Sequence, residues 1–185
     1  ILLQGRRHDF SVPVTKISQN RHIKDHNYTG NFSQFLSLIE QAYKKSPFFA
    51  DVFPIVQSVA LDSDQNVARK NANSIACVFL YLGIERDFIF SSDMDLNVEY
   101  KSQDRILALC QKVGINRYRN AIGGQTLYDK KSFAEKSIGL KFIETKIQPY
   151  QQASANFVPH LSIIDVLMHC DKRAVSHLLT EYSLV

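Results

Sequence analysis

Residues 103–145, QDRILALCQKVGINRYRNAIGGQTLYDKKSFAEKSIGLKFIET, decide the fold class. Ile106, Leu107, Leu109, Cys110 and Val113 recur at helical spacing, and Gly114 supplies the stop. A strand near Tyr118, a turn at Gly123-Gly124, a short helix at 132–135 and an apolar strand at 140–145 follow. Working outward, Ser33 is placed to cap a helix whose Phe35, Leu36, Leu38, Ile39, Ala42 and Tyr43 share a face, ending before Ser46-Pro47. A second helix follows over 48–60. A third, opening at Asp62 or Ser63, carries Val67, Ala72, Ile75, Ala76, Phe79 and Leu82 and stops at Gly83. Phe88-Ile89-Phe90 reads as a buried strand, Phe10, Val12 and Val14 alternate with period 2 as in a strand, and helices over 161–169 and 172–182 close the chain. This order predicts an α/β fold: a mainly parallel sheet covered by helices, a Rossmann-like sandwich forming a single domain over 1–185. Ile1-Leu2-Leu3 before the turn Gln4-Gly5-Arg6-Arg7 needs a sheet neighbour, so an N-terminal segment is expected to be missing.

Twelve Phe, eight Tyr and 45% apolar residues provide enough buriable surface to exclude disorder. The longest apolar stretch, 157–170, is broken by Pro159, His160, Ser162, Asp165 and His169, so no membrane span is expected. The net charge of +4 is scattered, without the dense basic stripe of a nucleic-acid binder, and nucleic acid is not an expected partner. Cys77, Cys110 and Cys170 are odd in number and lie among apolar residues, as reduced thiols of a cytoplasmic protein do. Phosphate-loop, dinucleotide, nucleophile-elbow and His-Glu-x-x-His motifs are absent from the sequence. His169, Cys170 and His177 do not project from one helix face, so no metal site is expected, and no residue pattern names a cofactor.

Three polar clusters remain. Ser91, Ser92 and Asp93 follow an apolar run, and Gln103, Asp104 and Arg105 open the next helix. Hydroxyls and a guanidinium fork there suit phosphate or carboxylate; the plainer alternative is a helix start with Arg105 paired to Asp93. In the second cluster, Tyr118 and Asn120 precede Gly123, Gly124 and Tyr128. Its aromatic and amide groups suit a sugar or nucleotide, while paired glycines serve a tight turn equally well. The third runs from Tyr150-Gln151 to His160 and Asp165. His160, ahead of a helix, has the chemistry of a general base. Asp165 sits among Ile163, Ile164, Val166, Leu167 and Met168 and so requires partners, as scaffold or as a catalytic carboxylate.

Taken in order, Pro13-Val14 through Ser18-Gln19-Asn20, the helix Ile39-Glu40-Gln41-Ala42-Tyr43-Lys44-Lys45 with Pro47 and Phe53-Pro54, Ser91-Ser92-Asp93, Gln103-Asp104-Arg105-Ile106-Leu107, Tyr118, Gly123-Gly124, Tyr128, Tyr150-Gln151 and the run from Phe157 to Asp165 resemble the WbqC-like family over essentially the whole chain. The family's usual opening strand and Gln-Pro aromatic loop are absent, and Lys101-Ser102-Gln103 lacks the more usual Gly before the Gln. The resemblance implies a bacterial cytoplasmic protein of surface-polysaccharide (O-antigen) biosynthesis. The implied activity is acyl or aminoacyl transfer, glycine for example, to an amino sugar or nucleotide sugar. On that reading Ser91, Ser92, Asp93, Gln103 and Arg105 hold an anionic donor, Tyr118, Asn120, Gly123, Gly124, Tyr128, Tyr150 and Gln151 contact substrate, and His160 or Asp165 handles the proton. The alternatives are a noncatalytic sugar-nucleotide binder or scaffold of the same pathway, or a nucleotidyl-transfer enzyme.

Overall fold

The computed structural model describes residues 1–96 and 99–185. In chain order its elements are β1 (Leu2–Leu3), β2 (Arg6–Arg7), α1 (Ser33–Tyr43), α2 (Phe49–Leu61), α3 (Val67–Leu82), α4 (Ser102–Lys112), β3 (Arg117–Ala121), α5 (Lys130–Glu135), β4 (Gly139–Thr145), α6 (Ile163–His169), α7 (Lys172–Leu178) and β5 (Tyr182–Leu184). They divide into two compact units, one made of Ile1–Phe88 with Gln148–Leu179 and the other of Ile89–Ile147 with Thr180–Val185.

The first unit is helical apart from the antiparallel β1–β2 hairpin, whose turn places Gln4 and Gly5 at positive φ. Its core joins Ile39 and Tyr43 of α1, Val52 of α2, Leu167 and Met168 of α6 and Val175 of α7. Asn31 accepts from both the backbone N–H and the hydroxyl of Ser33, so Ser33 is the first helical residue of α1 rather than its cap. α3 begins at Val67, the first residue of its apolar period, and later than the expected opening at Asp62 or Ser63, because Asp62 and Asp64 fold back on the backbone N–H groups of Asp64 and Asn66. Asn66 then caps the helix by accepting from Arg69 N–H, and Gly83, at φ 70°, ends it.

In the second unit, β3 and β4 pair in parallel from Arg117↔Gly139 to Ala121↔Ile143, and β5 adds antiparallel on the other side of β4. One sheet face carries Leu140 and Phe142 against Leu107 and Cys110 of α4 and Phe133 of α5.

The class is therefore α/β, with a three-stranded mixed sheet and a two-stranded antiparallel one. One of the three strand pairings among the described residues is parallel, which does not build the mainly parallel, Rossmann-like sheet expected from the element order. Three elements account for the difference. The alternating 8–14 segment makes a single bridge, Val14↔Tyr28, instead of a ladder. Phe88-Ile89-Phe90 pairs with no described strand, and Phe88 and Ile89 are exposed by 41% and 65%. The last helix stops at Leu178, and 182–184 becomes β5, because β4 offers it a free edge.

Candidate functional site

Asp165 anchors a buried polar network of the first unit. α6 is apolar on both sides of it, so its carboxylate is carried inward with Leu167 and Met168 and is 0% exposed. Tyr43, arriving from the last turn of α1, donates to Oδ1 at 2.9 Å, and its own oxygen accepts the N–H of Leu2 at 2.9 Å. Tyr150 donates to Oδ2 at 2.7 Å, and the amide of Gln152 donates to the same oxygen at 3.0 Å. His169, one turn along α6, lies 3.7 Å from Oδ1 and bonds the Asp165 carbonyl through Nδ1 at 2.9 Å. A buried carboxylate surrounded by donors in this way ties α1, the 148–158 loop and α6 together. Burial, reinforced by the facing carboxylate, pushes the Tyr43 and Tyr150 hydroxyls far above the ordinary phenol range, so both remain donors.

The network extends toward His160. Gln152 clamps Val158 from both sides, donating to its carbonyl at 3.0 Å and accepting its N–H at 2.8 Å. Two residues on, His160 is exposed and held at φ 59°, in the left-handed region that few non-glycine residues occupy, His, Asn and Asp more often than the rest. Ser162 then caps α6 by accepting the Ile164 N–H. Asp165 is thus linked through Gln152 to the loop that presents an imidazole to solvent.

A second constellation lies within the second unit. Tyr118 stacks on Phe133 with ring centroids 5.7 Å apart and meets Tyr128 edge-on at 6.1 Å. Burial raises the Tyr118 hydroxyl to about 12. Asn120 reaches the Tyr118 oxygen at 3.4 Å and accepts the Ala121 N–H. Gly123 and Gly124 form a tight helical turn at ordinary φ, contrary to the positive φ that paired glycines allow. Gly124 is small for another reason: a Cβ there would stand 3.1 Å from Asn120 Nδ2 and 3.3 Å from a Tyr128 ring carbon.

The sequence matches the model of the WbqC-like protein family over residues 1–177. The chain belongs to the WbqC-like family. Neither a curated protein nor a solved structure matches it.

Within this WbqC-like chain, the residues singled out from the sequence fall into both units. In the first, Tyr150 and Asp165 are in contact, His160 is joined to them through Gln152 and Val158, and Gln151 is exposed beside the amide that does the bridging. In the second, Tyr118, Asn120, Gly124 and Tyr128 are neighbours. Gln103 accepts the Asp129 N–H at 2.6 Å and thereby fixes the start of α5, and the Ser92 hydroxyl donates to Asp93 at 3.1 Å. Ser91 is exposed and Arg105 half-buried on α4. Tyr43, Gln152 and His169 were not among the residues expected. His169 alone had a direct signal, its i, i+4 spacing from Asp165. Among the described residues no helix is long and apolar enough to cross a membrane, and no group of three or more His, Cys, Asp or Glu gathers as metal ligands.

Proposed function

We propose that this protein transfers an acyl or aminoacyl group to the amine of an amino sugar or nucleotide sugar in the biosynthesis of bacterial surface polysaccharide, in the cytoplasm. The pathway comes from its place in the WbqC-like family. The observation that carries the chemistry is His160, exposed at φ 59° on a loop braced from the interior by the Gln152 amide. Strained backbone that its surroundings hold in place is common at reactive positions. In the transfer step the sugar amine forms a bond to the acyl carbonyl carbon, the bond to the donor's leaving group breaks, and His160 takes the proton released by the amine. Asp165, with both oxygens engaged by Tyr43, Tyr150 and Gln152, is a positioning residue for that loop. Within the first unit, Gln151 is assigned to the sugar; within the second unit, taken by itself, Ser91, Ser92, Asp93, Gln103 and Arg105 are read as anion-binding groups and Tyr118, Asn120, Gly123, Gly124 and Tyr128 as sugar-binding groups.

The test is mass spectrometry of uridine- and thymidine-diphosphate amino sugars incubated with the protein and activated acyl or glycyl donors. Acylated product that falls at least 100-fold in a folded His160→Ala variant supports the reading, and product unaffected by that change removes His160 from the chemistry. The saturated hydrogen bonding of Asp165 also favours a second reading, a binder without turnover, for which sugar-nucleotide binding with no product from any donor is the signature. Release of pyrophosphate from ATP in the same mixtures marks nucleotidyl transfer instead.

A further inference from the structure

His169 has two ring nitrogens, and each meets a different neighbour. Nδ1 lies 2.9 Å from the Asp165 carbonyl, one turn back on α6, with the carboxylate Oδ1 of the same residue 3.7 Å away. A carbonyl oxygen can only accept, so Nδ1 carries the hydrogen of the neutral ring and Nε2 keeps a lone pair. That lone pair faces the Ser46 hydroxyl, 3.4 Å away. The hydroxyl and Nε2 have no other partner among the described residues. Serine, imidazole and an acceptor behind the imidazole therefore stand in the order of an activated nucleophile, at the loose spacing common before a substrate binds. No local motif announces the pair, because Ser46 and His169 are 123 residues apart.

Backbone contacts hold the pair in place. Phe48 N–H donates to the Met168 carbonyl at 3.2 Å, which pins the 46–48 segment against the end of α6. Ser46 N–H donates to the Tyr43 carbonyl at 2.8 Å, and Pro47 fixes the φ that follows. Tyr43 meets the imidazole edge-on at 5.8 Å, and only 5% of the His169 side chain is exposed. Ser46 is half-buried, so the serine is the member of the pair that solvent reaches. α2 opens at Phe49, and the Ala50 N–H in its first turn has no acceptor among the described residues, which leaves a donor for an oxyanion.

We propose that Ser46 is an acyl-accepting nucleophile with His169 as its general base, giving the protein an activity of its own toward carboxylic esters and thioesters. This does not rest on the transfer reading. Ser46 Oγ bonds to the acyl carbonyl carbon as its proton passes to His169 Nε2; the bond to the alcohol or thiol breaks, and Nε2 returns the proton to that leaving group. Water then adds to the acyl carbon, its proton passes through Nε2 to Ser46 Oγ, and the free acid leaves. Two probes test it: diisopropyl fluorophosphate, with the adduct located by fragment masses, and p-nitrophenyl acetate, with release of p-nitrophenol followed in time. The native protein is expected to take the phosphoryl label at Ser46 and to show an initial burst of about one equivalent of p-nitrophenol, as an acyl-enzyme does. Folded Ser46→Ala is expected to lose both, His169→Gln to slow both by about 100-fold or more, and Ser58→Ala, at an exposed serine, to change neither. Circular dichroism confirms the fold of each variant, and should His169→Gln not fold, the position of the label and Ser46→Ala decide. A native protein that takes no label, a label on other serines alone, a burst that persists in folded Ser46→Ala, or full rates in folded His169→Gln overturns the proposal. Acylated sugar formed by a protein that takes no label removes Ser46 and leaves the transfer reading standing. Label and burst at Ser46 without any acylated sugar do the reverse.

Discussion

At the scale of single residues, Asp165 and His160 illustrate opposite uses of the same short segment. Removing the Asp165 carboxylate leaves two tyrosine hydroxyls and an amide buried without their acceptor. Asp165→Ala is therefore expected to lower the unfolding free energy by about 3 kcal/mol in urea titration, with Asp165→Asn costing less because one acceptor oxygen remains. A loss below ~1 kcal/mol would contradict a bracing role. His160→Gly relieves the left-handed backbone and is expected to stabilise the protein by about 0.5–1 kcal/mol while abolishing transfer, a combination that a merely structural residue does not give. The buried phenols set a limit at alkaline pH. In the unfolded chain Tyr43, Tyr118 and Tyr150 ionise near 10, but folding raises all three. The unfolded state therefore sheds protons first above pH 10, and stability that is complete below 10 falls as pH rises. For Tyr118 the loss runs from 10 to about 12, and Tyr118→Phe should flatten that part of a stability-against-pH curve measured by urea unfolding.

Among the elements, α3 is the clearest case of caps deciding where a helix runs. Asp62 and Ser63 offer an earlier start, yet the chain turns at Asp62 and Asp64 and becomes helical after Asn66. Asn66→Ala is expected to cost about 1 kcal/mol through the lost bond to Arg69 N–H. Gly83 meets no atom within 4 Å of an added Cβ, so Gly83→Ala isolates backbone strain at φ 70°, again about 1 kcal/mol by thermal or urea unfolding. Helix positions such as α1, α4 and α5 were legible because side-chain periodicity is local. The 88–90 and 182–184 segments were not, since a strand exists only when another strand is beside it. The same limit applied to the site: Asp165's need for partners followed from its apolar neighbours, but Tyr43 lies 122 residues away in the chain.

For the molecule as a whole, two cores are each marked by a buried thiol, Cys170 in the first unit and Cys110 in the second. Burial pushes both thiols up, so neither is a ready thiolate near neutral pH. Reaction with a chromogenic disulfide at pH 8 should leave both protected in the native protein and release all three thiols in denaturant; immediate labelling of Cys110 would mean that the α4–β4 core is open. By itself, the sequence determined the α/β class, the main helices, the glycine stops and the identity of a buried acid that had to be satisfied, since these follow from propensity, periodicity and the cost of burying charge. Only the tertiary structure decided which strands pair, that Tyr43, Tyr150 and Gln152 are Asp165's donors, and that His160 is presented on a braced loop. Those outcomes depend on contacts between residues far apart in the chain, whose geometry no local pattern encodes.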